Sequence, residues 1–148
     1  MITVKIIFQL VLKLIAVGFL GYLLIALGQA LVLEVLLNGQ TAPESPSHVL
    51  ALAALGTVAS GLLGGYLAAR LGGDQPIRHT IAVLAFLSLD GVWVIVKNVG
   101  GNPLWYELSG AATLLLATAA GGWLRRLQRD REGCRRRVAG DAIGVAEK

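Results

Sequence analysis

Four times the sequence runs for about twenty residues with almost no charge, and each run, coiled as a helix, matches the roughly 30 Å of a bilayer's hydrocarbon layer. The runs are 14–33, 49–69, 77–96 and 104–124. The first two hold no Asp, Glu, Lys or Arg; the third holds Arg78 and Asp90, and the fourth Glu107. Apolar residues fall on all sides of these segments, so the polar–apolar alternation of a β-barrel strand is missing. Only 15% of the 148 residues are charged, against about 25% in soluble domains. Mean hydropathy is +0.70. These features predict an all-α integral membrane protein, a four-transmembrane-helix antiparallel bundle over residues 1–128, followed by a basic, disordered cytoplasmic tail at 129–148. A signal peptide is the rival reading of the first run, with Gly28-Gln29-Ala30 as a cleavage site, but a signal core is only about 7–15 residues long.

The punctuation between runs agrees. Ser45-Pro46, Asp74 with Pro76, and Asn102-Pro103 each pair a capping residue with a proline suited to a first helical turn. Gly72-Gly73 ends the second run, and Gly100-Gly101 lies past the third. Leu104-Trp105-Tyr106 suits headgroup depth, and Glu107 suits a helix N-terminus. Of 13 basic residues, all but Lys97 fall in the N-terminal segment, the 70–79 turn or the segment after 124. The positive-inside rule then sets both termini in the cytoplasm. That arginine-rich end, with Arg125, Arg126 and Arg129, offers anionic lipid about 1 kcal/mol per residue; it also serves simply as the topology signal. The net charge of +4 is therefore a membrane feature, and no nucleic-acid partner is expected.

Segment two is organised by small residues. Gly56, Ser60, Gly64 and Ala68 recur every fourth position, with Gly61, Gly65 and Ala69 beside them. Such spacing lines one helix face. In lipid the helix persists despite its glycines, which let another backbone come close. Segment four has a similar face, Ser109, Thr113, Ala117 and Gly121. Either these two helices pack together inside one bundle, or one of the faces meets a partner.

Few residues could carry chemistry. Asp90 sits about 9 Å below the outer end of segment three, where an ionisable group should face protein or water. Gln29, Glu34, Thr57, Asp90 and Lys97 all fall in the outer half, and Lys97 could reach back along its helix to Asp90. They form a candidate intramembrane polar cluster: a proton or cation site, a polar ligand pocket, or an interhelical hydrogen-bond pair that fixes packing. Tyr22, near mid-span, is expected to pack or to hydrogen-bond a neighbour. His48 and His79 lie on opposite sides and cannot share a metal. The single cysteine, Cys134, excludes an internal disulfide and a cysteine-built metal site; lying among arginines, it is a candidate for acylation. No nucleophile elbow, phosphate loop, zinc spacing or dinucleotide fingerprint occurs, so no catalytic residues, metal or cofactor are expected.

The run GLLGGYLAARLGGDQPIRHTIAVLAFL resembles a pattern common in small bacterial inner-membrane proteins of four spans. The resemblance implies a fold and a compartment, and no activity. Small multidrug transporters are similar only in size: their coupling glutamate lies well inside the first span, whereas Glu34 is at its end. The expected function is non-enzymatic, by helix–helix association, as an accessory subunit or scaffold, in a homo-oligomer or a larger complex. The alternative is a small transporter or ion-conducting oligomer built on Asp90.

Overall fold

The computed structural model describes residues 2–36, 45–73, 75–97 and 103–146. All the regular structure in them is helical: α1 (Ile2–Leu31), running on into a π-helical turn (Val32–Leu36), α2 (Ser47–Leu71), α3 (Pro76–Lys97) and α4 (Leu104–Ala146). Among the described residues, three stretches are long and apolar enough to cross a membrane: Phe8–Leu31, Ser47–Leu71 and Pro76–Lys97. The first begins earlier than the expected 14–33, because a helix accommodates Lys13 at its flank without a break.

Helix ends follow the local chemistry. Pro46 occupies the N-cap of α2 in an extended conformation, its carbonyl accepting from the Val49 and Leu50 amides at 2.9 and 3.1 Å. Pro103 does the same for α4, accepting from Tyr106 and Glu107. Both prolines thus stand one position before the first helical turn expected of them. At the end of α2, Gly72 N–H donates to the Ala68 carbonyl, and Gly73 takes φ 66°, a conformation that costs glycine nothing. The caps expected of Asp74 and Asn102 lie outside the described residues.

Around the molecule, α1 touches α2 and α3, and α4 touches the same two; α2 and α3 also meet across the middle. The closest pair is α2 with α4. Their contacts advance together along both helices: Gly61 lies on Leu114 and Ala117, Gly65 on Thr118, and Tyr66 on Gly121. The two helices are therefore parallel. Contacts between α1 and α2 run in opposite senses, from Gly21 on Gly64 and Ala68 to Gly28 on Ser60. So α1 and α3 point one way, and α2 and α4 the other.

The two small-residue rows of α2 face two different neighbours. Gly56, Ser60, Gly64 and Ala68 meet α1, at Val32, Gly28, Ile25 and Gly21 in turn. Gly61 and Gly65 meet α4. A Cβ at Gly65 would collide with the Thr118 carbonyl, and one at Gly121 with the Leu62 carbonyl, so backbone rests on backbone there. On α4, Ala117 and Gly121 of the expected face take part, with Leu114 and Thr118 beside them. Ser109 and Thr113 instead bond back to the carbonyls of Tyr106 and Ser109, at 2.9 and 2.8 Å.

The core is narrow: Ile25, Ala68, Val83 and Leu87, with Tyr22, Leu114 and Leu115 against it. Large apolar side chains such as Leu27, Leu63, Leu89 and Leu116 point outward instead. Water would drive such surfaces together; lipid does not. The polar groups inside are bonded locally. Thr118 Oγ1 donates to the Leu114 carbonyl at 2.8 Å, and Thr80 Oγ1 to that of Pro76 at 3.1 Å. His79, in the first turn of α3, is buried beneath Gly72, and its Nδ1–H donates to the Gln75 carbonyl at 3.0 Å.

The basic segment is helical in the structure. Helix α4 continues through it to Ala146, where a short extension and then disorder were expected. Its Arg, Leu, Gln and Glu are good helix formers. Arg125 pairs with Glu132, two turns on, at 3.3 Å.

Candidate functional site

Of the five residues of the expected polar cluster, the structure brings Gln29 and Thr57 together and gives Asp90 and Lys97 other neighbours. The register of α1 on α3 decides the surroundings of Asp90. Gly18 lies on Ala82 and Gly21 on Val83; a Cβ at Gly18 would sit 2.7 Å from that of Ala82. Close approach there brings Phe19 and Tyr22 onto Phe86, with ring centroids 5.9 and 6.1 Å apart. One turn beyond Phe86 stands Asp90. The Tyr22 hydroxyl lies close enough to its carboxylate to interact with it.

Gln29 lies two turns past Tyr22 on α1, and its amide bonds with α2 and not with Asp90. It faces α2. Its Nε2 donates to Ser60 Oγ at 2.7 Å, and its Oε1 accepts from Thr57 Oγ1 at 3.2 Å. Thr57 also reaches the Ala53 carbonyl at 3.0 Å, and Ser60 Oγ donates to the Thr57 carbonyl at 3.0 Å. Both ends of the Gln29 amide are occupied within the protein, so this group links two helices and offers little to a ligand.

Lys97 does not reach Asp90. Its Nζ lies 5.3 Å from the ring centre of Trp93, one turn back on α3, a cation–π contact. Glu34 is exposed on the π-helical turn. Asp90 is thus left with Tyr22, and it is exposed on the outer flank of α1 and α3. Around it on α3 the apolar surface is bare: Leu89 is 70% exposed, Trp93 61% and Val96 72%. A carboxylate so placed can take up a proton, hold a cation, or accept a hydrogen bond from another helix.

At the opposite end of the helices the polar contacts are different. Tyr66 Oη donates to Gln128 Oε1 at 2.8 Å, and Arg129 Nη1 donates to the Gly73 carbonyl at 3.1 Å. Among the described residues no group of His, Cys, Asp and Glu is arranged to hold a metal. His48 and Cys134 are exposed.

The pairing of Tyr22 with Asp90 was not read from the sequence, although Tyr22 was marked as a bonding side chain. The glycines at 18, 21 and 28, which line the α1 surface turned toward α3 and α2, were the available signal. Comparison of the chain with protein-family models, with curated proteins and with solved structures finds no match.

Proposed function

We propose that the chain is a four-span protein of a bacterial inner membrane, with both termini cytoplasmic, that acts without catalysis through helix–helix association, as an accessory subunit or scaffold. The observation that carries this reading is Asp90: an acid well inside an apolar span, open on the outer surface beside Leu89, Trp93 and Val96. On insertion scales an Asp at a helix centre costs roughly 2.5–3.5 kcal/mol, so it is ordinarily turned toward protein or water. A further transmembrane helix on this flank would cover it. Helix α4 is read as the fourth span from its aromatic residues. Trp105 and Trp123 are both exposed and stand about 27 Å apart along the helix, which matches the two headgroup zones of one bilayer.

The test is disulfide or photo-crosslinking in native membranes from probes at Val92 and Val96, in a chain carrying Cys134→Ser. Association predicts a discrete product that fades in Asp90→Leu. A monomer with no companion at either position, together with intact membrane complexes after deletion, would sink the proposal. A second reading, a proton- or cation-conducting oligomer, draws on the same open carboxylate and the Tyr22 hydroxyl beside it. Under it, flux in liposomes falls in Asp90→Asn; unchanged flux removes it.

A further inference from the structure

We propose that the cleft between the start of α3 and the basic end of α4 binds the phosphate of an anionic phospholipid headgroup. The cleft has a volume of about 570 Å³ and is open to the outside. Arg78 and Gln75 form one side, Arg126, Arg129 and Asp130 the other, with Ile77 at its edge. Three guanidinium groups therefore face one carboxylate.

These arginines are not equivalent. Arg129 is fixed by its bond to the Gly73 carbonyl, 3.1 Å, and so shapes the wall. Arg125, outside the cleft, is paired with Glu132. The side chains of Arg78 and Arg126 have no hydrogen-bond or ion-pair partner among the described residues. Two such forks opening on one cavity suit a phosphodiester, whose oxygens accept bidentate hydrogen bonds from guanidinium.

A lipid fits better than a free phosphate because of what adjoins the cleft. On α3, Ile77 and Ile81 are one turn apart on one face and both exposed. On α4, exposed Trp123 lies one turn before Arg126. The Ile77–Ile81 pair and Trp123 both lead from the cleft toward the membrane-spanning part of the helices, where acyl chains would lie. Pro76 begins an apolar stretch long enough to cross the bilayer, so the cleft falls at headgroup depth. The inference rests on the membrane reading above, and not on any partner complex.

Native mass spectrometry of the full chain in mild detergent tests it, with phosphatidylglycerol, phosphatidylcholine or inorganic phosphate added. The expected result is one retained phosphatidylglycerol, with phosphatidylcholine lost. Arg78→Gln and Arg126→Gln should each weaken retention about fivefold, and the pair on the order of 25-fold. Arg131→Gln, at an exposed position outside the cleft, should keep the wild-type level. The single Arg126→Gln change, at an exposed position, keeps the test available if the double variant fails to fold. Wild-type retention in Arg126→Gln, an equal loss in Arg131→Gln, or displacement by inorganic phosphate at equal concentration would overturn the assignment. A chain absent from the membrane fraction would instead sink the membrane reading. A membrane-bound chain that holds both lipids alike would sink the lipid site alone.

Discussion

Gly65 and Gly121 show how much a hydrogen atom can matter as a side chain. Each lies against a carbonyl of the opposite helix, and neither site has room for a methyl group. Gly65→Ala should cost about 1–3 kcal/mol of overpacking, read as a lower midpoint in detergent unfolding. Gly110→Ala, with nothing within 4 Å of the new Cβ, should leave the midpoint unchanged or slightly raised. Gln29→Leu tests the smaller polar term. Interhelical hydrogen bonds in membranes average about 0.6 kcal/mol, so a double-mutant cycle with Ser60→Ala should give a coupling of that order. The sequence marked Gln29, Thr57 and Ser60 without pairing Gln29 with Ser60, because residue type reveals a need for a partner but not its position. That position depends on register, which Gly18, Gly21 and Gly28 set through contacts invisible in any single segment.

At the level of elements, the apolar runs were legible because charge, proline and glycine interrupt them. Their limits shifted most where a helix continues beyond its apolar run. Helix α1 starts at Ile2, and α4 passes its arginines without stopping. Composition called the latter disordered because it lacks apolar periodicity, yet periodicity reports burial while helix formation needs only permissive residues. Truncation after Gln128 should therefore remove the helical circular dichroism of roughly 18 residues, whereas loss of an unstructured tail would leave the signal per molecule unchanged. The Arg125–Glu132 pair adds little: Glu132→Gln should shift the unfolding midpoint by an amount equivalent to less than about 1 kcal/mol.

Over the whole molecule, the arrangement depends on α2, whose two rows of small residues address α1 and α4 separately. Both rows could be seen in the sequence; which helix each would meet could not, since either is smooth enough for either neighbour. The four-span reading is checked by reporter fusions. Reporters at 73 and 148 should share one side of the membrane, and those at 41 and 100 the other; a split within either pair would refute it. The closest seam also joins helices that are not consecutive in the chain. During synthesis, the groove at Gly61 and Gly65 must therefore wait, with its backbone uncovered, until α4 leaves the ribosome. A chain stalled before that moment keeps its deepest groove empty, and it becomes a natural target for membrane chaperones and quality-control proteases.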